Sequence, residues 1–282
     1  MDPKKIQRRL RSYHVLSFYW EGFKPILTLF DFRKGKIESI ELKSGMKFKI
    51  VPGRRKFCIG RFEGEEYIPC PEKREVEQFT QCQACASFFI PDLQCIFEPK
   101  CDGSLCDNEF CKKEHVIYLA VFKDDVKVGM TGKDRIMKRL IEQGADAFSV
   151  IATLSSRAEA RELEREISKR LRVSQFYTIR HFVRNLSVDV DQTVMKKVYI
   201  YYCQRIKREF SLEPTPLQFL DGYPMPTQIK ERVYLKSWEN ECAGEVVGIK
   251  GKCLVFKKEG YRALDLSELP SRIVKLSFSV DS

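Results

Sequence analysis

Eight of the eleven cysteines fall between residues 58 and 111: Cys58, Cys70, Cys82, Cys85, Cys95, Cys101, Cys106 and Cys111. His115 follows at once. Residues 52–114 show little apolar periodicity, so this stretch needs another source of stability, and bound metal supplies it in segments of this kind. Cys82-Gln-Ala-Cys85 has the spacing of a zinc knuckle, whose loop turns two thiolates onto one ion. Soft sulfur ligands in tetrahedral number favour zinc. The absence of a compact CxxCxxC run argues against an iron–sulfur cluster. Eight thiolates fill two structural Zn²⁺ sites. Chain order assigns Cys58, Cys70, Cys82 and Cys85 to one, and Cys95, Cys101, Cys106 and Cys111 to the other, with His115 able to replace a thiolate. A closed all-thiolate site leaves no open position for catalysis. The competing reading is a set of buried free thiols. Cys203, Cys242 and Cys253 are scattered and read as core residues.

The compartment decides between metal and disulfides. Met1-Asp-Pro-Lys-Lys is basic but lacks the apolar segment of a signal peptide. No apolar run approaches the roughly 20 residues that span a bilayer. The expectation is a soluble cytoplasmic protein with no membrane association, where thiols stay reduced and clusters of them hold metal. At 43% hydrophobic and 32% charged residues, the chain can bury real cores and is not disordered.

Net charge is +11, and residues 1–57 carry 15 Lys and Arg against 5 Asp and Glu. A basic surface such as the one around Arg54 and Arg55 attracts polyanions, above all nucleic-acid backbones. A solvated basic face without a partner is the bland alternative.

Residues 15–20, 25–32, 36–42 and 46–51 alternate apolar and polar positions and read as short antiparallel strands. From residue 115 the pattern becomes strand (115–122), strand (126–129), helix (133–143), strand (147–153) and helix (156–172). Gly144 stops the first helix. Ser156 and Glu159 have the spacing of a capping box. Residues 191–209 predict a further helix, a Pro-rich linker follows, and strands return at 232–238, 244–249, 252–257, 261–266 and 272–278. Few short strands make a poor domain alone. The expected fold class is therefore α+β. Strands from both termini build one barrel or sandwich, into which a cysteine-rich module and a ββαβα domain are inserted. The segments are 1–57, 58–114, 115–212 and 213–282, the last packing with the first.

Ala160, Leu163, Ile167 and Leu171 form the apolar stripe of the helix at 156–172. Glu164 lies inside that stripe, and a carboxylate facing the interior needs a cation or a paired arginine. Arg135 and Arg139 are four apart, so one helix would present both on one face, as its partners or as a solvated basic face.

Val116-Ile117-Tyr118, then Lys127-Val128-Gly129 and Thr131, resemble the paired motifs of the GIY-YIG nuclease domain. In that family a following helix offers an arginine and a later helix offers a glutamate in an Ala-x-x-Leu-Glu pattern. Here these positions fall to Arg135 or Arg139 and to Ala160-Arg-Glu-Leu163-Glu164. The resemblance implies that the arginine holds a scissile phosphate, Glu164 ligates Mg²⁺ or Mn²⁺, and Tyr118 positions water. Lys127 stands where the family has a second tyrosine, and Val116 where it has a first glycine. The departure leaves catalysis open and suits contact of Lys127 with phosphate. The wider layout also resembles an uncharacterised family of bacteria and archaea that joins a cysteine-rich zinc module to a GIY-YIG-like domain. Its residues are Phe57-Cys-Ile-Gly-Arg61, Pro69-Cys-Pro71, Gln81-Cys-x-x-Cys85, His115-x-x-Tyr118-Leu-Ala, Lys127-Val-Gly-x-Thr131 and Glu142-Gln-Gly-Ala145.

Three functions follow as expectations. The first is a zinc-containing protein that binds RNA or DNA through a degenerate GIY-YIG-like domain, with Arg54, Arg55, Lys127, Arg135 and Arg139 on the backbone. Tyr13, Phe18, Tyr19 and Trp20 either stack bases or fill a core, and the core is preferred. The second is a metal-dependent endonuclease. The third is a non-enzymatic adaptor of ribosomes or a protein complex.

Overall fold

The computed structural model describes residues 10–86, 93–96, 98–101, 104, 108–186 and 191–279. The chain divides into two compact units, residues 1–86 with 223–282, and residues 87–222.

The first unit is built on a nine-stranded sheet. Its N-terminal strands are β1 (Arg11–Glu21), β2 (Lys24–Asp31), β3 (Lys36–Glu41) and β4 (Lys47–Lys56). A two-stranded hairpin follows, β5 (Arg61–Glu63) with β6 (Glu66–Ile68), and then the one-turn helix α1 (Gln83–Ala86). The C-terminal strands are β11 (Val233–Leu235), β12 (Cys242–Lys250), β13 (Cys253–Lys257), β14 (Tyr261–Asp265) and β15 (Arg272–Ser279). The sheet order is β11-β14-β13-β12-β4-β15-β1-β2-β3, so strands from the two ends of the chain interleave. β15 pairs antiparallel with both β1 and β4, and β4 also pairs with β12. Alternating side chains bury Val15, Leu27, Leu29, Ile50, Val255, Leu264, Val274 and Leu276. Of the N-terminal aromatics, Tyr13 and Trp20 are buried and Phe18 and Tyr19 half-buried. Trp20 donates its indole N–H to the Gly251 carbonyl at 2.9 Å.

Of the barrel or sandwich expected, a closed barrel does not form. β3 and β11 are the two ends of the sheet order, and among the described residues they do not pair with each other. Both are poor closing edges: β3 (KIESIE) carries alternating charge and β11 has three residues, features that discourage further pairing.

The second unit holds a 3-10 turn at Leu93–Ile96, the short helix α2 (Glu109–Lys112) and a four-stranded sheet in the order β10-β9-β7-β8. Its elements are β7 (His115–Phe122), β8 (Asp125–Gly132), α3 (Ile136–Gln143), β9 (Ala147–Leu154), α4 (Arg157–Leu171), α5 (Ile179–Asn185), α6 (Gln192–Phe210) and β10 (Gln218–Phe219). Every residue of β7 is buried, because it is a central strand covered on both faces. One face packs Ile117, Leu119, Val128 and Ile151 against Ala160, Ile167 and Leu171 of α4 and Ile206 of α6. The other face carries Tyr118, Lys127 and Gly129, since directly opposed residues share a side: Tyr118 opposes Gly129 and Ala120 opposes Lys127. Gly144 ends α3 in the left-handed region with φ 75°.

Arg135 and Arg139 do not share one α-helix. Lys133–Arg135 form a 3-10 turn, and α3 begins at Ile136.

Candidate metal centre and buried polar cluster

Cys58, Cys70, Cys82 and Cys85 meet in the first unit. Their sulfurs lie within 4.8 Å of one another, and all four are buried. The backbone explains how. Cys58 leaves β4 on a turn whose Gly60 has φ +76°, and a Cβ there would collide with the Ile68 carbonyl. The β5–β6 hairpin returns the chain to Cys70. Gln81 donates its side-chain N–H to the Gly60 carbonyl at 2.7 Å, which holds the second knuckle against the first. α1 then turns Cys85 back over Cys82, with the Cys85 N–H 3.1 Å from the Cys82 carbonyl.

The amides point inward. The N–H groups of Cys82 and Gly60 lie 3.2 and 3.4 Å from Cys58 Sγ. Burial raises the pKa of Cys58 despite these donors. Burial and the neighbouring thiols push Cys85 far above the ordinary thiol value. At Cys70 burial also works upward, yet the N–H groups of Arg74 and Glu72 outweigh it and lower the pKa. Burial and the nearby thiols push Tyr67 up to about 12. Four thiols in one small space resist ionising together, and a dication reverses that balance. The donor set of four soft sulfurs in tetrahedral number fits such an ion. None of the described cysteines is in a disulfide.

The later cysteines fall in the second unit. Cys111 is buried, Cys95 and Cys101 are half-buried, and Cys106 lies outside the described residues. Among the described residues, the Cys58 quartet is the group gathered within ligand distance. His115 is 0% exposed. Its Nδ1 sits 2.9 Å from the Lys113 carbonyl, and its Nε2 has no hydrogen-bond partner among the described residues. Cys242 and Cys253 are buried, whereas Cys203 is half-buried on α6.

A polar cluster lies at β7, β8, α3 and α4. Tyr118 is 1% exposed, and its hydroxyl bonds with the Gln143 side chain, 2.9 Å from Nε2. Burial raises its pKa, with the Arg139 charge acting in the opposite direction. Glu164 is 5% exposed. It accepts from Arg161 Nη1 at 2.6 Å and from the Met130 backbone N–H, so it caps part of the edge of β8. Burial raises its pKa against the pull of Arg161 and Lys127. Arg161 also reaches Gln175 and Glu98, at 3.1 and 3.2 Å.

Tyr118 is thus an electrostatic neighbour of Arg139 and Glu164, and Glu164 of Lys127. The partner of Glu164 is Arg161, one turn back on the same helix, rather than Arg135 or Arg139. Arg135 is exposed at the end of the 3-10 turn, with no bond to this cluster among the described residues. Lys127 is 6% exposed and is a charge neighbour of Glu164, not a surface cation. Sequence reasoning gave no role to Gln143, Arg161 or the buried Asn185, which donates to Asp125 at 3.0 Å and Tyr177 at 2.7 Å. The spacing of Arg161 three residues before Glu164 was the available signal. Arg54 is exposed, and Arg55 pairs with Glu75 at 2.7 Å. No helix of the described residues is long and apolar enough to cross a membrane.

No curated protein and no solved structure matches the chain. A family model does match, over residues 47–271, and its span takes in both the cysteine quartet and the polar cluster. The chain belongs to that family, described as Protein of unknown function (DUF2797).

Proposed function

We propose that this is a zinc-containing protein of the cytoplasm that binds nucleic acid through a degenerate GIY-YIG-like domain at residues 115–212. The observation that carries the reading is the convergence of Tyr118, Lys127, Arg139 and Glu164 on one cluster. Arg139 and Arg135 are exposed and reach phosphate. Lys127 and Arg161 lie beneath and offset the charge of Glu164. Zinc at the Cys58 quartet is structural, since four thiolates complete its coordination.

Binding is favoured over hydrolysis by what the acidic and phenolic groups already do. Arg161 and the Met130 N–H occupy Glu164, and Gln143 occupies the Tyr118 hydroxyl. A nuclease would need Glu164 to take Mg²⁺ or Mn²⁺ and Tyr118 to meet water.

The test uses labelled single- and double-stranded RNA and DNA, with and without Mg²⁺ or Mn²⁺, over a range of salt. Wild-type protein is expected to bind with affinity that falls steeply as salt rises. R139A is expected to weaken binding about tenfold and flatten the salt slope, as loss of a phosphate contact does. No cleavage is expected. Metal-dependent cutting abolished by E164A would make the protein an endonuclease, and absence of salt-dependent binding would leave a zinc-stabilised adaptor.

A further inference from the structure

His115 opens β7 with its ring buried edge-on against Phe110, the centroids 5.1 Å apart. Its Nδ1 faces the Lys113 carbonyl, so that nitrogen carries the proton and donates it. The lone pair is then on Nε2, buried and without a partner among the described residues. An imidazole oriented by a backbone carbonyl, with its other nitrogen left as a bare acceptor, is the arrangement that metal-ligating histidines adopt.

Four residues earlier, Cys111 is buried on α2, which packs on α4. Arg157 points its Nη1 to within 3.9 Å of Cys111 Sγ and its guanidinium lies 5.5 Å from the Phe110 ring centroid. Arg157 is itself buried, in the first turn of α4, where the helix dipole disfavours a cation. A metal-bound thiolate at Cys111 would offset that cost.

α4 carries two more arginines at four-residue spacing, on the same face. Arg161 and Arg165 hold the Glu98 carboxylate at 3.2 and 3.0 Å. Glu98 lies between Cys95 and Cys101. One helix face therefore tethers the segment bearing Cys95 and Cys101 and the segment bearing Cys111 and His115.

We infer that His115 Nε2 and Cys111 Sγ ligate a second Zn²⁺ ion, with Cys95 and Cys101 completing a Cys₃His site in residues 87–222. This goes beyond the proposed function, which places zinc at the Cys58 quartet. Three thiolates, one neutral imidazole and Zn²⁺ leave a net charge of −1, which Arg157 faces. Among the described residues these four ligand atoms are not gathered as the first quartet is. The ion itself closes the site, and binding is coupled to local folding.

The experiment counts metal in the purified full chain by elemental analysis and native mass spectrometry. Two zinc ions per chain are expected, falling to one in H115A and in C111S, and to a different single ion in C82S. Cobalt substitution of C82S should then give the spectrum of a tetrahedral Cys₃His site. One ion in the wild type, lost in C82S, overturns the inference and keeps the first site; no ion overturns both. Alkylation of the wild type needs no variant: Cys95, Cys101 and Cys111 should be protected until a chelator is added. Their reaction at full rate in the zinc-loaded protein would overturn the site even if H115A failed to fold.

Discussion

At Gly129 the reason for a glycine is steric rather than conformational. A Cβ there would lie 2.5 Å from the Tyr118 hydroxyl, because the tyrosine ring crosses over its partner in the β7–β8 pair. The ring is enclosed and cannot swing aside, so Gly129→Ala is expected to cost about 1–3 kcal/mol, as overpacking does. Denaturant unfolding measures this; an unchanged midpoint would show that the ring has room to move. Glu164 makes a different prediction. Its folded pKa is raised above its ordinary value by burial. The folded state then binds the proton more tightly than the unfolded state. Stability from this group falls as pH rises from the unfolded carboxylate value through the raised folded one, and the penalty is fully present above it. Glu164→Gln should flatten that part of the pH–stability curve, and a slope identical to wild type would contradict the assignment. The burial of Glu164 was legible in the sequence, because it interrupts an apolar stripe of period 3.6. Its partner was not, because Arg161 is one of five basic residues of the same helix and only three-dimensional packing tells which one turns inward.

Secondary structure was legible where elements were long and periodic. β7 matches its expected bounds, and α4 lies within residues 156–172, capped by Ser156 and ending at Arg172 in the left-handed region. The capping box is half made: Ser156 Oγ accepts from the Glu159 N–H at 3.3 Å, while the Glu159 carboxylate takes its bond from Ser155. Ser156→Ala should therefore destabilise α4 by about 1 kcal/mol, the usual cost of a lost N-cap. A loss below the error of the thermal melt would mean that Ser155 takes over. α5, β10 and the β5–β6 hairpin escaped notice because two to seven residues are too few to display a period. The Cys58 quartet shows the opposite case. CxxC spacing located Cys82 and Cys85 without any periodicity, and chain order then supplied Cys58 and Cys70. The hairpin that brings Cys70 back was invisible, since its hydrogen bonds are between backbone groups.

On the scale of the molecule, the two units offer separate optical reports. Both tryptophans of the chain, Trp20 and Trp238, are buried in the first unit. Among the described residues, every helix longer than four residues lies in the second. With zinc in the Cys58 quartet, as proposed, Cys85→Ser should remove the ion and with it about 3 kcal/mol or more of stability, as the loss of a structural ion does. Tryptophan fluorescence should record an earlier unfolding transition while the far-ultraviolet helical signal moves little. Equal shifts of both signals would mean that the units unfold as one.

The interleaved strand order also has a consequence for how the chain is made. β4 lies between β12 and β15, so both of its partners are translated after the entire 87–222 segment. A nascent chain emerging from the ribosome carries β4 with two bare edges for as long as that segment takes to synthesise, and β1 waits for β15 on one side. Unpaired edges recruit the wrong neighbours. Like charge, from the Lys and Arg residues concentrated in the first 57 positions, would oppose such pairing between unfinished copies until the last strand arrives.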